Sequence, residues 1–153
     1  MFNSSLIIYT QYLIPNTKKM NYWLLKTEPS DYTYDQLVKD KKTVWDGVGH
    51  NTALINIRNS RKGDLAFIYH TGDERQIVGI AELISDPYPD PGSDKPKMAV
   101  FDIKPLKKLN KPVTLAQIKA DKKYSEFRLV KESRLSVVSV PKEFWDDFIK
   151  MSE

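Results

Sequence analysis

The chain has 153 residues, 41% of them hydrophobic and 29% charged, which suits one globular domain with a buried core. Cysteine is absent, which excludes disulfides, thiolate catalysis and Cys-ligated zinc and agrees with a cytoplasmic setting. The net charge is only +4, and no apolar run approaches the ~20 residues of a membrane span, so a soluble protein with no membrane partner is expected.

Residues 1–19 stand apart. Leu6-Ile7-Ile8 is too short for the core of a signal peptide, and no positively charged stretch precedes it. Thr10, Gln11 and Asn16 then interrupt the segment. Met20 stands directly before the first convincing strand. Residues 1–19 therefore read as a disordered or extraneous N-terminal extension, and 20–153 as a single domain.

Tyr22 to Thr27 is aromatic and apolar and is stopped by Pro29, which predicts a strand. Ser30 to Thr33 offer N-caps for a short helix that ends near Asp40. Thr43-Val44-Trp45 is a brief extended piece, and Asp46-Gly47-Val48-Gly49 a turn-rich loop. Asn51 or Thr52 can cap a second helix carrying Ala53, Leu54, Ile57 and Arg58. After the turn at Lys62-Gly63-Asp64, Leu65 to His70 form a strand. Gln76 to Ile84 is the most continuously apolar run, which predicts a central strand covered on both faces.

The prolines of Asp86–Gly92 remove ladder donors and predict a long loop. Met98 to Lys104 is a further strand, Leu115 to Ala120 a helix capped by Thr114, and Arg134 to Val140 the last strand. Pro141 opens a final helix with Phe144, Trp145, Phe148 and Ile149 in one apolar stripe. About five to six strands mixed with short helices, without regular βαβ alternation, predict an α+β fold built on a small barrel-like sheet.

Charge is concentrated late in the chain. Residues 104–131 hold nine basic side chains against Asp121 and Glu126, a local excess of +7. Such a stretch is either a solvated surface or a face that contacts phosphates. On the second reading Lys107, Lys108, Lys111, Lys122 and Lys123 would meet a nucleic-acid backbone.

Signatures of catalysis are few. His50 and His70 have no metal-binding spacing, and Gly-x-Ser-x-Gly and P-loop patterns are missing. Nothing in the sequence calls for a cofactor or a metal. Glu28, Asp46 and His70 are the side chains an enzyme would have to use. Aromatic residues at strand ends say more. Trp23, Trp45, Tyr69 and His70 lie beside loops, where an aromatic pair could sandwich an extruded base. They could equally be core or close turns. Lys26 and Glu28 share one face of an extended segment, as would Arg134 and Ser136. Each pair could hold a ligand or serve the fold.

Six stretches in order resemble the EVE domain, a PUA-like family. They are Tyr22-Trp23-Leu24-Leu25-Lys26-Thr27-Glu28-Pro29-Ser30; Trp45-Asp46-Gly47-Val48 with Asn51, Ala53, Leu54 and Arg58; and Gly63-Asp64 with Ile68-Tyr69-His70-Thr71-Gly72. Val78-Gly79-Ile80-Ala81-Glu82, Pro87-Tyr88-Pro89-Asp90-Pro91 and Arg134-Leu135-Ser136-Val137 complete the set. The resemblance implies a curved or barrel-like mixed sheet with flanking helices. It implies a non-catalytic reader of a modified base, with methyl- or hydroxymethyl-cytosine in DNA leading and a modified base in RNA the other case. Stand-alone bacterial members would be the ones to read the RNA base, especially in transfer RNA, and a small domain of this kind would act as a monomer. Carried onto this chain, the pocket would be lined by Lys26, Glu28, Pro29, Trp45, Asp46, Gly47, Val48, Asn51, Tyr69, His70, Arg134 and Ser136. Trp45 and Tyr69 would stack or give shape, while Gly47-Val48 amides, Asn51 and Glu28 would read the base edge. Many members carry Arg-Asn-Tyr after the Gly-Val pair, where this chain has Gly49-His50-Asn51. A sensor of a free nucleobase or anionic metabolite is the alternative, and an enzyme acting on a nucleotide a third.

Overall fold

The structure, a computed structural model, describes residues 19–153, so the expectations for residues 1–18 lie outside the described residues. The strands are β1 (Tyr22–Thr27), β2 (Thr43–Trp45), β3 (Leu65–His70), β4 (Gln76–Leu83), β5 (Tyr88–Pro89), β6 (Ala99–Thr114) and β7 (Val137–Ser139). The helices are α1 (Tyr34–Asp40), α2 (Asn51–Asn59), α3 (Leu115–Lys119), α4 (Arg128–Lys131) and α5 (Lys142–Met151). The strands run β2-β6-β4-β3-β1-β7, with β5 paired to β6. Among the described residues only β1 and β3 pair in parallel. Among the described residues no helix is long and apolar enough to cross a membrane.

The central placement read for β4 holds: it lies between β3 and β6. β3 is covered on both faces. On one, Phe67 stacks on Trp145 of α5 at 3.8 Å between centroids, and Phe148 closes the cluster. On the other, His70 meets the start of α1. Trp23 is core, with its indole N–H donating to buried Asp64 at 2.9 Å. Asp64 also accepts from the amides of Asn21 and Arg61, so one carboxylate ties the start of β1 to the turn before β3.

Four expectations need correction. β6 does not stop at Lys104 but runs to Thr114 through Pro105 and Pro112. Register shifts against β4 fall between Ile77 and Gly79 and between Ile80 and Ala81, and bulges of this kind accommodate prolines that cannot donate to a ladder. The Asp86–Gly92 segment is not all loop, since Tyr88 and Pro89 pair with Val100 and Ala99. Proline is tolerated there because β5 pairs on one side only. The last strand is Val137–Ser139; the Leu135 amide turns back to Glu132 O, so Arg134 lies in a turn and shares no strand face with Ser136. Helix α2 begins at Asn51 with His50 at its N-cap, and no side chain caps it. Helix α4 and a 3₁₀ turn at Lys122–Tyr124 are too short to carry a periodic signal.

Gly79 decides how α1 docks. A Cβ there would lie 2.4 Å from the ring of Tyr34, whose hydroxyl donates to Ile80 O at 2.7 Å. Tyr34 is 2% exposed, so the ring has nowhere to go. Gly79→Ala is expected to cost about 1–3 kcal/mol, the usual toll of overpacking. Denaturant unfolding checks this; an unchanged midpoint would reject the contact.

Candidate functional site

The end of β1, the strand β2 and the loop after it converge around an open cavity of about 440 Å³. Its lining is Lys26, Thr27, Glu28, Asp31, Tyr32, Thr43, Val44, Trp45, Asp46, Gly47, Val48 and Ser136. The local sequence explains the shape. After Pro29 the chain turns, and the amides of Asp31 and Tyr32 both donate to Glu28 O. Thr27 Oγ1 donates to Tyr32 O at 2.8 Å, which fixes that turn to the strand end. Gly47 has φ +77°, a left-handed conformation that side-chain-bearing residues resist, and it turns the loop back after Trp45.

Tyr32 and Trp45 form the aromatic walls. Their centroids are 6.5 Å apart and their planes 77° from parallel, so they make a corner and not a sandwich. A planar ligand can lie flat on one ring and meet the edge of the other. Trp45 is 8% exposed, so it shows the cavity only part of its surface. Tyr32 is half-buried, and its hydroxyl donates to Asp40 at 2.8 Å. Burial and that bond push its pKa up.

The polar wall is mixed. Lys26 Nζ donates to Ser133 O at 2.8 Å and stands 5.9 Å above the Tyr69 ring. Partial burial lowers its pKa by penalising the charged form. Glu28 accepts from Thr71 Oγ1 at 3.1 Å, and its carboxylate lies against Gly72, where a Cβ would approach to 2.9 Å. No ion pair engages Glu28, Asp31 or Asp46 among the described residues.

Of the residues expected from the sequence, the cavity brings together Lys26, Glu28, Trp45, Asp46, Gly47, Val48 and Ser136. Pro29, Asn51, Tyr69, His70 and Arg134 do not line it. Tyr69 is 3% exposed and lies beneath Lys26. Asn51 opens α2 and accepts from Lys97 Nζ at 3.5 Å. Arg134 is exposed in its turn. Asp31, Tyr32, Thr43 and Val44 were not foreseen. A proline turn directly after a strand, followed by an aromatic residue just ahead of a helix cap, was the available signal for Tyr32.

His70 serves the frame of the site. Its Nε2 accepts from the Tyr34 amide at 3.1 Å, so the neutral ring must carry its proton on Nδ1, which faces Glu74 at 2.9 Å. The ring thereby fixes the first turn of α1, and the segment just before that helix holds Tyr32. His70→Ala is expected to cost about 1–3 kcal/mol by stranding a buried amide. His70→Gln, which can still accept from that amide, should recover part of the loss in thermal unfolding; equal losses in the two variants would count against the bond.

The five lysines expected on a nucleic-acid backbone do not line the cavity. Lys108 pairs with Asp35 at 2.9 Å. Lys123 is engaged by Glu143 at 2.8 Å and Asp147 at 2.7 Å, which holds its pKa above the usual lysine range. Lys107, Lys111 and Lys122 are exposed. A reader of nucleic acid is expected to carry a basic rim; among the described residues the cavity wall instead holds one ammonium and three carboxylates, which counts against that expectation.

The family model described as the EVE domain matches residues 21–151. The chain is similar to the Rpa0253 protein of Rhodopseudomonas palustris, with 42% identity, 87% of this chain and 93% of that one covered, and a TM-score of 0.82. Human THYN1, solved in complex with 5-methylcytosine-containing DNA, is 24% identical, covers 87% of this chain and 98% of its own, and has a TM-score of 0.78. Thymocyte nuclear protein 1 of Rattus norvegicus is 26% identical over 185 residues, covering 99% of this chain and 82% of its own length. The α+β, PUA-like fold expected from the sequence is the fold observed.

Proposed function

We propose that this chain, which belongs to the EVE domain family, is a non-catalytic module that takes a flipped, modified nucleobase into the cavity beside Tyr32 and Trp45. Residues 20–153 act as one such domain, as a monomer. Methyl- or hydroxymethyl-cytosine in DNA is the first choice of ligand, because the similarly folded human protein was solved with 5-methylcytosine-containing DNA. A modified base in RNA is the second.

The observation that carries the reading is the aromatic corner in the wall of an open cavity. A base offers one flat face and one polar edge. The corner offers one ring to stack on, and Lys26, Glu28, Asp46 and Ser136 stand around the rest of the wall. Stacking is worth about 1–3 kcal/mol per base, which offsets part of the few kcal/mol needed to take it out of a duplex. The Gly47-Val48 backbone can approach the ligand because no side chain shields it at Gly47.

Binding of the full chain to DNA and RNA oligonucleotides tests this. The panel holds unmodified, methylated and hydroxymethylated cytosine and methylated adenine, each at two salt concentrations. A salt-sensitive preference for one modified oligonucleotide is expected. Equal affinity across the panel would reject the role.

A second reading, a sensor of a free nucleobase or related anionic metabolite, is favoured by one observation, although the three carboxylates of the wall speak against the anionic case. None of Lys107, Lys108, Lys111, Lys122 and Lys123 lines the cavity. On that reading, affinity for a free modified base matches that for the oligonucleotide and is insensitive to salt.

A further inference from the structure

The cavity wall is acidic inside a chain that is basic as a whole. Its single ammonium, Lys26, is turned onto Ser133 O. Its three carboxylates are not spread at random. Asp31 directly precedes the Tyr32 wall, and Asp46 directly follows the Trp45 wall. Both are exposed, line the cavity and lack a cationic partner among the described residues. Glu28 differs, because Thr71 and Ser30 hold its carboxylate.

Resting on the base-reading role, we infer that this cavity selects its base by charge, admitting neutral or cationic bases and turning away anionic ones, with Asp31 and Asp46 as the discriminating groups. An anionic base meets three carboxylates against one ammonium in this wall, and that ammonium, Lys26, is turned onto Ser133 O, so the net charge of the lining repels it. Donor groups of a base, such as the exocyclic amine of cytosine, meet acceptors there. Attraction to phosphates then falls to the outer surface, where the exposed lysines are. The division lets the same domain attract a polyanion and reject an anionic base.

The test compares oligonucleotides carrying 5-methylcytosine, 5-carboxylcytosine and the neutral, isosteric 5-carbamoylcytosine at one pH and salt. The wild-type chain is expected to bind the carboxyl base roughly tenfold or more weakly than the carbamoyl base, since the two differ in charge and not in size. In Asp31→Asn/Asp46→Asn that ratio is expected to shrink to about threefold or less. Equal affinity for carboxyl and carbamoyl bases in the wild type, or an undiminished ratio in a variant that unfolds normally, overturns the inference. If no modified oligonucleotide binds better than the unmodified one, the base-reading role fails and takes this inference with it. If 5-methylcytosine is preferred while the charge ratio is absent, only the inference fails.

Discussion

Trp45→Ala is expected to weaken binding of the preferred modified oligonucleotide by roughly tenfold to a hundredfold, from the loss of one stacking or shape-defining wall. The ring has two roles. It faces the cavity, and it packs in the core beside Tyr32. The variant should therefore also lose stability, by about 3–5 kcal/mol if the hole cannot collapse. Trp45→Phe separates the roles. It keeps an aromatic wall and most of the packing, so it should recover more stability than affinity. Titrations are to be read below the unfolding transition of each variant, with the unmodified oligonucleotide as reference. If folded Trp45→Ala binds like the wild type, the cavity is not the base site.

Asp64→Ala is expected to be among the most destabilising single substitutions in the domain, at about 2–4 kcal/mol. The carboxylate accepts from the Trp23 indole at 2.9 Å, the Arg61 amide at 2.9 Å and the Asn21 amide at 3.1 Å. It is 3% exposed, so water cannot replace it for the innermost donor. Alanine leaves three donors to find partners at once. Asp64→Asn keeps one acceptor oxygen and should lose less. Urea unfolding of both variants measures the difference. A cost for Asp64→Ala near that of a surface substitution, within about 0.5 kcal/mol, would show that the hub is not maintained in solution.

Strand and helix positions were legible where one signal acted alone. The aromatic run at Tyr22–Thr27, the apolar run of β4 and the 3.6-residue stripe of α5 all formed where expected. Boundaries failed where two signals competed. Pro105 and Pro112 argue against a strand, yet cross-strand pairing with β4 carries β6 through both by bulging. Alternating positions after Arg134 suggest extension, but the turn at 132–135 takes the segment out of the ladder. The site was partly legible for the same reason. Lys26, Glu28 and Trp45–Val48 lie on elements whose ends could be read directly. Tyr32 depends on a turn held by Thr27 and Glu28, and that geometry comes from contacts, not from periodicity. His70 was recognised as special, but its partner, the Tyr34 amide, lies 36 residues away, so its structural task could not be read from its neighbours.

The pairing of β1 has a consequence for synthesis. Its inner neighbour is β3, and its other neighbour is β7, formed by residues 137–139. A ribosome adding about 5–20 residues per second releases β3 several seconds before β7. Throughout that interval the buried residues Leu24 and Leu25 belong to an unfinished edge. The sheet is therefore not complete until nearly the whole domain has been made, and a nascent chain stalled before residue 137 would present that edge to any strand-seeking neighbour or to a chaperone.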